Sequence, residues 1–128
     1  MIKLYFENDA PDHSVTLGPA PWFRIAGNFI RQGPHGAIMG TFRLHHWEVN
    51  SHLFARYDCE GPVLVHFEDV HGGQTENFGP FSRLFAQDGV LHVEKKELFA
   101  KFIEETQMWH VFPVETYWPV LVIETAKT

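Results

Sequence analysis

One cysteine stands in 128 residues, so no intrachain disulfide can form and a reducing compartment is expected. Basic residues are scarce, ten Lys plus Arg against sixteen Asp plus Glu, and no basic run exceeds Lys95-Lys96. Phosphate backbones are held by clustered cations, so nucleic acid and anionic membrane surfaces are not expected partners. No stretch approaches the roughly 18 apolar residues of a membrane span. The opening run from Met1 meets acid at Glu7, too early for a signal-peptide apolar region. A soluble, cytoplasmic protein is the expectation.

The motifs of common chemistries are missing too. No Cys-x-x-Cys, His-Glu-x-x-His, Gly-x-Gly-x-x-Gly or phosphate-binding Gly-x-x-x-x-Gly-Lys occurs. Ser14, Ser51 and Ser82 lack a nucleophile-elbow context. Cys59 lies between Asp58 and Glu60, whose charges disfavour the reactive thiolate. No cofactor is implied, and the sequence favours binding without catalysis.

What is abundant is aromatic: 12 Phe, 4 Trp and 3 Tyr. Together with β-branched residues and with 10 Gly and 8 Pro for turns, this composition suits strands. The fold class expected is a single mainly-β domain over 1–128. It is an antiparallel sandwich or partly closed barrel with at most one short helix. Charge is uneven: residues 1–64 carry five basic and six acidic groups, residues 65–128 five and ten. Nine His would move the formal charge from −6 to +3 if all were protonated. Solubility is therefore expected to be poorest near the sequence pI of 5.8.

Along the chain, Ile2, Leu4 and Phe6 alternate inward. Residues 8–21 read as loop. Trp22 to Arg31 and Ala37 to Val49 read as two long strands. The four Gly-Pro pairs, at 18, 33, 61 and 79, read as turns or strand ends. Phe42 and Leu44 have the opposite parity to Trp47 and Val49, which suggests a β-bulge near His45-His46. Asp88-Gly89 favours a two-residue primed turn. That turn pairs Ala86 with Leu91, Phe85 with His92, Leu84 with Val93, and Arg83 with Glu94 as a cross-strand charge pair. Residues 94–106 fit either a helix or a third meander strand, with strand preferred. A strand there, turning at Lys95-Lys96, sets Leu98 opposite Val93. Tyr117 to Thr125 is apolar on both parities, as in a strand buried on both faces.

Two candidate sites follow. Trp47, Phe54, Trp109 and Trp118 are the rings for a ligand platform or apolar groove, with Trp47 opposite Phe54 if Asn50-Ser51 turns tightly. His66 and Glu68 share a strand face and could join His92 or His110 as metal ligands. The plainer alternative is a solvated face. A binding or protein-interaction module ranks first, a barrel enclosing a small apolar ligand second, and a metal-assisted enzyme third. The partner is thus a protein or a small molecule, and a homo-oligomer is compatible with the sequence. A flat surface would favour the first reading, a deep aromatic pocket the second, and convergent His and Glu the third.

Overall fold

A computed structural model describes residues 1–7, 14–26, 28–33, 37–43 and 45–125. Fourteen strands run through them: β1 (Ile2–Glu7), β2 (Ser14–Ala20), β3 (Trp22–Ala26), β4 (Phe29–Gln32), β5 (Ala37–Arg43), β6 (His46–Val49), β7 (His52–Phe54), β8 (Arg56–Glu68), β9 (Thr75–Gln87), β10 (Val90–Val93), β11 (Glu97–Ile103), β12 (Met108–Val111), β13 (Thr116–Trp118) and β14 (Val120–Thr125). All pairings are antiparallel, and one sheet results. Its order is β13-β12-β11-β10-β9-β8-β14-β3-β4-β5-β6-β7, and its two end strands do not pair. The mainly-β expectation holds, as an open antiparallel sheet bent around one core.

β8 organises the molecule. One edge pairs with β9 along its length; the other pairs first with β1, at residues 56–58, and then with β14, at residues 63–68. Its odd residues Tyr57, Cys59, Val63, Val65 and Phe67 are buried. Its even residues, Asp58 through Glu68, face the other way. The sheet's far wings meet in the core, where Phe42 of β5 packs 4.9 Å from Phe102 and 5.9 Å from Trp109. Ring pairs of this kind add about 0.5–1.5 kcal/mol each beyond their area.

The Asp88-Gly89 hairpin forms in the expected register, and Glu94 N–H donates to Arg83 O at 3.1 Å. Both turn residues have positive φ, 52° and 81°, as a primed turn requires. The expected Arg83–Glu94 charge pair does not form. Arg83 turns instead to Asp58, and Glu94 accepts from Ser82. Residues 97–103 are strand, as preferred, but the register is one residue off. Leu98 sits opposite His92 because the loop has three residues; the bulge between Leu91 and His92 then restores the expected register, with Leu91 opposite Ala100.

Other expectations are corrected. Trp22 to Arg31 is two strands, not one, with Ala26 opposite Phe29. Gly-Asn is itself a hairpin signal. Ala37 to Val49 is likewise two strands, with Arg43 opposite His46. The parity change at His45-His46 is therefore a turn, not a bulge; the inward placement of Leu44 lies outside the described residues. Residues 14–20 are strand rather than loop, held by β1, while 8–13 lie outside the described residues. Gly18-Pro19 stands one residue before the end of β2, whereas Gly61-Pro62 and Gly79-Pro80 lie inside strands; all three have cis peptide bonds. The last two flank register shifts between β8 and β9, where a bulge frees proline from ladder pairing. Gly33 follows β4, and Pro34 lies outside the described residues. Val120 to Ile123 are all buried, as the two-sided apolar pattern implied, since β14 lies between β8 and β3.

Candidate functional site

The four candidate rings are placed inward. Trp47 and Phe54 are opposite one another, as a tight Asn50-Ser51 turn implied, and both are fully buried. Trp109 is 1% exposed. An enclosed ring presents no face to a ligand. Trp118 is half-buried against the core and donates its indole N–H to Glu76 Oε1 at 2.8 Å. Rings fill the interior where a barrel would hold an apolar ligand. Phe6, Trp47 and Tyr57 pack there, with Trp47 and Tyr57 edge-on at 4.8 Å.

His66 and Glu68 do come together. His66 Nε2 lies 3.2 Å from Glu68 Oε2, and its Nδ1 lies 3.4 Å from Glu124 Oε1. Arg24 Nη1 donates to Glu68 Oε1. These groups line a shallow cleft of about 200 Å3 with Trp22 and Val122. The expectation of a solvated face is corrected: Glu68 is the buried charged residue among those described, and His66 is half-buried. Neighbouring strands supply the cover, since Val122 of β14 is opposite both His66 and Arg24.

His92 does not join them. It sits beside Phe85, whose partner on β8 is Asp58, eight residues before His66. That is about 25 Å of strand. His110 is farther along the sheet, stacked on Tyr117 at 4.6 Å with Glu115 on its Nε2. Among the described residues no group of three or more His, Cys, Asp or Glu is arranged to hold a metal. Within the cluster Arg24 matches Glu68 and His66 Nε2 faces the same carboxylate, while His66 Nδ1, near Glu124, is buried without a hydrogen bond.

The other half of the same β8 face is open. A cross-strand row runs Tyr5, Asp58, Phe85, His92, Leu98 over β1, β8, β9, β10 and β11. A second row runs beside it from Glu7 and Arg56 through Gln87, Val90 and Lys101 to His110 and Tyr117. Tyr5, Leu98 and Tyr117 are 42%, 54% and 53% exposed. Arg83 donates Nε to Asp58 Oδ1 at 2.9 Å and Nη2 to Oδ2 at 2.5 Å, and its guanidinium lies over the Phe85 ring. Those bonds hold Arg83 charged and fix its direction before anything binds. Shallow recesses flank Tyr5 and Asp58, one of about 500 Å3 reaching Lys3, Thr16 and Glu60, one of about 150 Å3 reaching Arg56 and Phe85.

Sequence reading missed this face because Tyr5, Asp58, Arg83 and Leu98 come from four segments that only the register aligns. The signal it did hold was the Phe85–His92 pair of the hairpin. Cys59 lies on the inner side of β8 and is buried. Burial first, then Asp58 and Glu60, pushes its thiol up to about 12.

Comparison with protein-family models, with curated proteins and with solved structures finds no match for this chain. Among the described residues no helix is long and apolar enough to cross a membrane.

Proposed function

We propose that this chain is a small non-catalytic binding module of the cytoplasm, and that it engages a protein partner through the open face of β1, β8, β9, β10 and β11. The observation that carries the reading is the aligned row Tyr5, Asp58, Phe85, His92 and Leu98, with Arg83 fixed across it. Tyr and Arg are the side chains that dominate protein interfaces, and they do so when held rigid. A broad surface with shallow recesses suits a protein better than an enclosed small molecule. Acids and bases alternate on it, Glu7 with Arg56 and Asp58 with Arg83, so specificity comes from matched charge rather than net attraction.

The test places a photo-crosslinking amino acid at Tyr5, at Phe85, or at Val70, which is 67% exposed in the β8–β9 loop. Irradiation in cells is expected to give one discrete adduct from positions 5 and 85, none from 70, and loss of the adduct with Arg83→Ala. An adduct of twice the chain mass would identify the partner as a second copy. The same adducts from all three positions, or none from 5 and 85, would defeat the proposal.

A further inference from the structure

Four hairpin connections meet at one end of the sheet. Phe42 N–H donates to Asn28 O at 2.7 Å, and Phe102 N–H donates to Gly89 O at 2.9 Å. His45 packs on Gly89 so closely that a Cβ there would lie 2.4 Å from its Nδ1. His45 Nε2 lies 3.8 Å from Glu104 Oε1. Between these connections is a cleft of about 240 Å3 lined by Asn28, Arg43, Phe102, Glu104 and Gln107. At about 30 Å3 per water, it has room for roughly eight, or for one small organic molecule.

The charges in the cleft are not matched to each other. Arg43 is 65% exposed at the side chain and reaches Glu48 only at 3.5 Å. Glu104 Oε1 is buried and accepts no hydrogen bond, with His45 Nε2 3.8 Å away; His45 Nδ1, turned to Gly89, is also buried without a partner. Among the described residues Arg43 and Glu104 form no ion pair with one another. A cation and a carboxylate thus share one small cleft at separate points, over the buried ring of Phe102 and between two side-chain amides. Buried polar atoms normally find partners, so an unmatched carboxylate oxygen at such a cleft calls for a donor.

We propose that this cleft binds a small zwitterion of the free amino-acid type. The ligand's ammonium is held by Glu104 and its carboxylate by Arg43. Its aliphatic part lies over Phe102, and the Asn28 and Gln107 amides complete its hydrogen bonds. This site is separate from the protein-binding face and does not depend on it.

The test is a backbone-amide NMR titration of the full chain with L-alanine, L-leucine and L-glutamine. N-acetyl-L-leucine, which lacks the ammonium, and L-leucinamide, which lacks the carboxylate, are run beside them. At least one amino acid is expected to shift the amides of residues 28, 43, 102, 104 and 107 with a dissociation constant of about millimolar order. Each single-charge analogue is expected to bind at least about tenfold more weakly. Glu104→Gln, nearly isosteric, and Arg43→Gln, at an exposed position, are each expected to weaken the amino acid by a similar factor without changing the rest of the spectrum. No shift with any of the three up to about 20 mM, shifts elsewhere only, or analogues that bind as well as the parent would overturn the proposal.

Discussion

Asp58 and Glu68 stand on the same face of the same strand, and each is paired with an arginine from another strand. Their surroundings differ. The Asp58–Arg83 side chains are 30% and 44% exposed, and Tyr5 beside them is exposed. The Glu68–Arg24 side chains are 11% and 31% exposed, flanked by His66, Glu124, Trp22 and Val122. A carboxylate–guanidinium pair has no fixed meaning; its neighbours decide whether it offers a surface or closes one. On the open half Arg83 is a pre-set anchor with room around it. On the closed half Arg24 answers Glu68 within the cluster, which serves to hold β3 and β14 to β8.

The largest effect is expected where the two halves join. A Cβ on Gly61 would lie 2.0 Å from Phe81 O, a backbone atom that cannot swing aside. Gly61→Ala is expected to cost about 3 kcal/mol or more in urea unfolding. Hydrogen exchange at Phe67 and thiol labelling of Cys59 should then speed up together. If only one responds, the two halves are not one cooperative unit.

Removing the two acids separates the faces directly. Glu68→Ala strips a half-buried guanidinium and one side of His66, and is expected to cost about 2–3 kcal/mol; the partial exposure of Arg24 keeps this below a fully buried pair. Asp58→Ala breaks a solvent-screened pair and is expected to cost under about 1 kcal/mol while abolishing the crosslinked adduct. Equal stability losses would erase the distinction between open and closed.

How much of this could be read from residues alone follows from range. Asp88-Gly89 set a hairpin register because turn chemistry and strand parity act over a few residues, and Leu84, Ala86, Leu91 and Val93 are buried as that register requires. The Trp47–Phe54 pair was legible for the same reason. Gly27-Asn28 carries the same kind of signal for one of the two hairpins that read as long strands, whereas Ala37 to Val49 holds no such pair at its turn. The pairing of β14 with both β8 and β3 was not legible, since it joins residues more than fifty positions apart. That pairing buries Glu68, so the closed cluster could not be told from a solvated face. The His66–Glu68 adjacency was visible as a two-residue spacing; Arg24 and Glu124 were not.

The smallest effect distinguishes the halves by the hydrogen bonds of two exposed acids. Glu94 borders the open face and accepts from Ser82 N–H at 2.8 Å and from the Ser82 hydroxyl. Asp69 ends the closed half and accepts from the N–H groups of Gly73, His71 and Gln74, closing the β8–β9 loop. Both carboxyls are held below their ordinary values, Glu94 chiefly by the Ser82 hydroxyl and Asp69 chiefly by Gly73 N–H. A depressed folded value stabilises the protein above the unfolded value, near about 4, and that contribution is lost as pH falls through the folded value. Acid therefore loosens both turns, in a window below about pH 4. Ser82→Ala removes only the hydroxyl, so Glu94 should titrate closer to its ordinary value while Asp69 stays where it was. Because both acids are solvent-exposed, the change belongs in side-chain carboxyl NMR titrations and not in the unfolding midpoint. If Asp69 moves with Glu94, the two turns are coupled through β8 and β9, and the open face cannot be altered without disturbing the closed one.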